Sequence, residues 1–110
     1  MANEIPLISG QKNVAADTIE VMYTAPSDKS ILILSFTATN NTASSKTYKA
    51  YIYNSAGSSN GATIPQQIVV KDRFDLGAAI IGHTIPKGGT LRIESSGASS
   101  LVFRATGRAI

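Results

Sequence analysis

The feature that most constrains this chain is a regular succession of short apolar or alternating segments, each closed by a cluster of Gly, Pro, Asn or Ser. From Thr18 to Ile110 these segments recur at close spacing. Alternation with a period of two places apolar side chains on one face of a β-strand, whereas a helix would need a period near 3.6 residues. The pattern therefore predicts an all-β domain with roughly six to eight strands.

The alternation places strands at about Thr18–Thr24, Ser30–Thr39, Lys46–Tyr53, Gln66–Phe74, Thr90–Ser95 and Leu101–Ala109. In the fourth of these segments we expect Ile68, Val70 and Phe74 to face inward. In a chain of 110 residues, such a series of strands is typical of a single antiparallel β-sandwich, either jelly-roll or immunoglobulin-like.

Residues 1–17 differ from the rest of the chain. A proline and a glycine in this segment disfavour a helix, so we expect an extended N-terminal arm that precedes a β-sandwich domain at 18–110. Such an arm would lay Ile5, Leu7 and Ile8 on a neighbouring subunit. A frayed terminus or a first edge strand is the alternative interpretation.

Two further segments suggest contact with other subunits. The second predicted strand begins with four consecutive apolar residues, so Ile31 and Ile33 are candidates for an interface with another chain or for cover by a loop. In the last strand Arg104, Thr106 and Arg108 share one face. This face is either solvated or a docking face on which guanidinium groups pair with a partner's carboxylates.

Composition narrows the choice of partners. Charged residues make up only 15% of the chain, below the usual figure of about 25%, so another protein can cover the surface with few charges to desolvate. The net charge of +3 is dispersed without a basic run, which argues against nucleic-acid binding. We expect no disulfide because cysteine is absent, and neither a signal peptide nor a membrane-spanning helix because the necessary apolar stretches are missing.

No catalytic, metal-binding or cofactor-binding constellation is evident, so the chain is not expected to be an enzyme or to need a cofactor. His83 is the only histidine and lies beside turn-forming residues, where a structural or surface role is the simpler interpretation. Asp72 and Asp75 lack the glycine-containing loop of a calcium site. A hydrolase that uses these three residues is therefore the weakest hypothesis.

An aromatic patch offers another alternative. Tyr51 and Tyr53 fall on one face of the third predicted strand, and a flexible loop at 54–61 follows them. Exposed tyrosines of this kind suit carbohydrate stacking or a protein interface. The alternative is the opposite register, in which these rings pack in the core and Tyr48 is exposed.

The segments Val21–Pro26, Thr39–Thr42, Ile81–Leu91 and Arg104–Arg108 together carry a resemblance that extends over most of the chain from Asp17 onward. They resemble the short all-β virion structural proteins of tailed bacteriophages. The resemblance implies a non-enzymatic capsid cement or decoration protein that stabilises the shell by binding across capsomer seams.

The same resemblance implies the partners and the location. The partners would be the major capsid protein or another virion protein, together with further copies of this chain, a trimer being favoured. Neither nucleic acid nor membrane would be bound, and the protein would reside in the virion after assembly in the host cytoplasm. The alternative is a carbohydrate-binding or tail or fibre accessory β-sandwich.

Overall fold

Two antiparallel sheets face each other in the computed structural model, which describes residues 4–57, 64–71, 73–77 and 80–110, with only the backbone described at Ile64 and Pro65. The described residues form strands and turns without a helix, as the alternation predicts. In chain order the strands are β1 (Ile5–Lys12), β2 (Ile19–Thr24), β3 (Ile31–Asn40), β4 (Lys46–Tyr53), β5 (Ile64–Val69), β6 (Phe74–Asp75), β7 (Thr84–Ile85), β8 (Thr90–Ser95) and β9 (Leu101–Ala109).

The strands pair in a nested order. Sheet A runs β1-β9-β3-β6, with β7 also paired to β3, and sheet B runs β2-β8-β4-β5. The first strand therefore pairs with the last, the second with the eighth, the third with the sixth and the fourth with the fifth. Of these pairs only β4 and β5 are consecutive in the chain, so most connections carry the chain from one sheet to the other.

The expected N-terminal arm is an edge strand of the sandwich. Within β1, Ile5 pairs with Gly107 and Ile8 with Ala105 of β9. Leu7 and Ile8 are buried in the core of the same chain. The alternative of a first edge strand is therefore correct, because the segment pairs with β9 and buries two of its side chains in the core.

An aromatic cluster fills the centre of the core between the sheets. Phe36 on β3 packs on Tyr48 of β4 with ring centroids 5.8 Å apart. Phe103 on β9 lies 6.1 Å from Phe36 and 5.7 Å from Tyr48. Because the three rings come from both sheets, their contacts fix how the sheets stack.

The apolar start of β3 is also accounted for within the chain. Ile31 and Ile33 are buried in the core, and Leu32 and Leu34 are half-buried. The short strand β7 pairs with this end of β3, which covers it from the side. Burial of Ile31 and Ile33 consequently needs no second subunit.

One predicted strand is divided in two. The segment expected at about 66–74 forms β5 in sheet B and β6 in sheet A. A turn separates them, in which the Arg73 amide donates to the Val70 carbonyl at 3.0 Å. The chain thereby crosses from one sheet to the other at the side of the sandwich that β5 and β6 form.

Candidate functional site

The outer face of sheet A carries two arginines on an inner strand. β9 lies between β1 and β3. Along it, Phe103 and Ala105 are buried, whereas Arg104 is exposed and Thr106 and Arg108 are half-buried. The predicted alternation of β9 is confirmed. We call the outward residues Lys12, Arg104, Thr106 and Arg108 the arginine face.

Short polar side chains surround Arg104. Its register partners are Ser9 on β1 and Thr37 on β3. The guanidinium group lies over Gly10, where the position that a Cβ atom would occupy is 2.9 Å from an Arg104 terminal nitrogen. Gly10 has a φ of 96°, a conformation that favours glycine, and its missing side chain leaves room for the guanidinium.

Arg108 has a buried donor without a partner. Its Nε atom is inaccessible to solvent, and no hydrogen-bond acceptor for it is found within the described ranges. The register partner of Arg108 on β3 is Leu32, which has no polar side chain. Next to it on β9, the Thr106 hydroxyl hydrogen-bonds the Ser35 hydroxyl across the strands. The face thus combines a satisfied hydroxyl pair with an unsatisfied guanidinium donor.

The tyrosines of β4 take the register in which Tyr48 is the core residue. Tyr51 and Tyr53 pack edge to face on the outer side of sheet B, with centroids 6.3 Å apart. The Arg92 guanidinium carbon lies 4.0 Å from the Tyr53 centroid, and the Tyr51 hydroxyl donates to Glu94 at 2.7 Å. Both rings are therefore engaged with each other and with β8, and the Arg92 guanidinium covers one face of Tyr53.

The hydrogen bond to Glu94 changes the acidity of Tyr51. Together with burial and the nearby negative charge, it raises the pKa of the Tyr51 hydroxyl to about 12. The carboxylate stabilises the protonated phenol because the phenol donates to it. In the core, burial and then the hydrogen bond to Asp75 raise the pKa of Tyr48 well above its ordinary value.

The prediction that Ile68, Val70 and Phe74 face inward is wrong, because all three are exposed, as is Leu76. Val69 is the buried residue of its segment, while Ile68, Val70, Phe74 and Leu76 are each more than half exposed. We call these four exposed residues the apolar side, because they lie where β5 and β6 form one side of the sandwich. The segment 68–70 is apolar at every position, so its alternation has no unique phase.

The hydrolase candidates do not form a catalytic site in the described parts of the chain. Asp75 accepts hydrogen bonds from the Tyr48 hydroxyl and from the Gly77 amide. His83 is exposed, and its carbonyl accepts from the Ile33 amide at 3.0 Å. Asp72 lies outside the described residues, as does part of the 54–61 loop. Among the residues described, no three His, Asp or Glu side chains are grouped to hold a metal ion.

The seven predicted interface residues lie on or beside three adjacent strands, β1, β9 and β3. Four of them are core residues, namely Leu7, Ile8, Ile31 and Ile33, and Ile5 packs partly buried against that core. Of the seven, Arg104 and Arg108 reach the outer surface of sheet A. The sequence analysis did not predict the apolar side. An assignment of Val69 as the inward residue of the segment 68–70 would have indicated it.

In the described ranges there is no helix of the length and hydropathy needed to cross a membrane. Comparisons of the chain with models of known protein families, with curated proteins and with solved structures give no significant match.

Proposed function

We propose that this chain is a non-enzymatic structural protein of a phage virion, most directly a capsid cement or decoration protein that binds across capsomer seams. The observation that carries the proposal is the apolar side. Ile68, Val70, Phe74 and Leu76 expose most of their side chains within one short segment. Grouped exposure of large apolar residues marks protein interaction sites, whereas singly scattered ones need no explanation.

The residues around the apolar side suit a seam between proteins. Lys71 and Arg73, both exposed, stand between the apolar residues and can pair with carboxylates at the rim of an interface. Burial of the four apolar side chains supplies the hydrophobic contribution. Because the chain would bind the assembled shell and not its separate subunits, it would stabilise the shell by mass action.

The strand order supports the same proposal at the level of fold. Nested pairing of the first strand with the last and of the second with the penultimate favours a jelly roll, an architecture of viral capsid and lectin domains, over the immunoglobulin-like alternative. An immunoglobulin-like sandwich instead places strands ABED in one sheet and CFG in the other. A fold alone does not assign a function, so the strand order supports the proposal only by analogy with other proteins of similar architecture.

The proposal includes self-association and location. Copies of the chain would form a homo-oligomer, a trimer being favoured by the resemblance to phage virion proteins, and would contact the major capsid protein or another virion protein. The mature location would be the virion, after assembly in the host cytoplasm. Neither nucleic acid nor membrane would be a partner.

Co-sedimentation with emptied capsids tests the proposal. The capsids would come from a phage whose genome encodes this chain, stripped of accessory proteins. Wild-type protein should sediment with them, and Phe74→Ser should lose most of the binding because a large exposed apolar side chain is removed. Val14→Ser is the matched control, since Val14 is 77% exposed but lies away from the apolar side. Absence of wild-type binding, or equal losses in both variants, would refute the proposal.

A further inference from the structure

We propose that the arginine face binds an extended acidic segment of a partner protein, through carboxylates spaced like the two guanidinium groups. This inference rests on the proposed function only in taking the partner to be a protein. The surface is separate from the apolar side: it is the outer face of sheet A at β9, whereas the apolar side surrounds the turn from β5 to β6.

The charge of this face is uncompensated within its strands. β1, β9 and β3 contain Lys12, Arg104 and Arg108 but no aspartate or glutamate. Glu4 immediately precedes β1 and, because Ile5 pairs with Gly107, it falls opposite Arg108 in the register, so the three cations of the face outnumber this one carboxylate. A sheet face with three cations and hydroxyl neighbours is complementary to a partner surface of the opposite sign.

Before a partner arrives, Arg104 is restrained by its backbone contact and Arg108 is partly buried. Arg104 lies against the backbone at Gly10, which limits the conformations of its side chain. Arg108 keeps its Nε donor buried without an acceptor. Because Arg108 is half-buried, a carboxylate that pairs with its guanidinium group displaces less water than it would at a fully hydrated side chain.

The spacing specifies an extended ligand. Arg104 and Arg108 are four residues apart on one strand, which separates their Cα atoms by about 13 Å. Carboxylates four residues apart in an extended peptide have the same spacing, whereas residues four apart on a helix are separated by about 6 Å along its axis. The hydroxyls of Thr106 and Ser35 lie between the arginine positions and can contact the peptide between its acidic residues.

A protein ligand fits better than nucleic acid. Tight binding to a phosphate backbone usually draws on about six to ten phosphate contacts, and this face offers three cations. Arginine forks also match carboxylates in a bidentate geometry that does not require a high charge density. Nucleic acid is therefore the competing occupant that the experiment must exclude.

Fluorescence polarisation with a labelled synthetic peptide tests the inference. The probe carries two glutamates four residues apart in a Thr- and Ser-rich background. One comparison peptide carries glutamines at those two positions, and a second carries two adjacent glutamates.

Arg104→Gln and Arg108→Gln should each weaken binding of the probe about tenfold. Arg108→Lys should weaken it several-fold, because lysine keeps the charge but lacks the planar guanidinium fork that pairs with a carboxylate in a bidentate geometry. Lys49→Gln, which removes one charge from sheet B, should change it less than twofold.

Three results would overturn the inference: equal affinity for the glutamate and glutamine peptides, an equal loss in Lys49→Gln, or tighter binding of a single-stranded oligonucleotide through the same arginines. Circular dichroism of each variant verifies the fold.

Phe74→Ser separates the two proposals, since it should retain peptide binding while losing capsid binding. Peptide binding without any capsid binding would refute the proposed function alone.

Discussion

At the scale of single residues, the Tyr48–Asp75 pair joins the two sheets. Tyr48 belongs to β4 in sheet B, and Asp75 to β6 in sheet A. The phenol donates to the carboxylate, which also accepts from the Gly77 amide. A carboxylate thus serves as a structural acceptor next to the core.

Tyr48→Phe should lower the free energy of unfolding by about 1–3 kcal/mol, because it removes the donor but retains the ring in the aromatic cluster. Urea unfolding measures the effect. Tyr53→Phe is the control, and we expect a change within about 0.5 kcal/mol because that ring is on the outer side of sheet B. Equal effects of the two substitutions would contradict the cross-sheet role of the Tyr48 hydroxyl.

We expect Tyr51 to make the free energy of unfolding depend on pH in the alkaline range. Its pKa is raised to about 12, so the folded protein holds this proton more tightly than the unfolded chain, whose tyrosines have a pKa of about 10. The contribution is fully present below pH 10 and is lost as pH rises towards 12. In Tyr51→Phe, urea midpoints measured across this range should therefore fall less steeply than in the wild type. Parallel curves would show that the bond to Glu94 does not stabilise the folded state.

At the scale of elements, strands with regular alternation were predictable, whereas the inward face of the apolar run at 68–70 was not. β4 and β8 begin and end as the alternation indicates. In the segment 68–70 every residue is apolar, so tertiary contacts select Val69 as the core residue. Local sequence patterns also could not predict that β1 pairs with β9, because the partner residues lie at opposite ends of the chain.

The role of β1 as a structural strand can be tested with neighbouring residues. Ile8→Ala should cost about 2–5 kcal/mol of unfolding free energy, because Ile8 is buried in the core. Ser9→Ala, one residue further on an exposed position, should cost less than about 0.5 kcal/mol. Urea denaturation of both variants checks this, and a negligible effect of Ile8→Ala would indicate a detached arm.

At the scale of the whole molecule, the monomer completes its own core and the surfaces available for assembly lie elsewhere. The buried residues form one cluster that includes Leu7, Ile8, Ile31 and Ile33. The apolar side and the arginine face are exposed on different parts of the sandwich. Assembly with other proteins is a prediction from the sequence, and three-dimensional packing was needed to separate the core from candidate contact surfaces.

Self-association is the first prediction at this scale. Sedimentation equilibrium should give a concentration-dependent mass above that of one 11.5 kDa chain, a trimer being the favoured end point. The reason is that a surface with few charges can be covered by further copies at low desolvation cost. A single-chain mass at every concentration would remove self-association from the proposal.

Thermal opening of emptied capsids tests the central claim most directly. The temperature at which shells open is measured without protein, with saturating wild-type protein and with saturating Phe74→Ser. We predict that wild-type protein raises the opening temperature, because it binds the assembled shell in preference to its subunits, and that Phe74→Ser does not. An unchanged opening temperature at saturating wild-type protein would contradict the account.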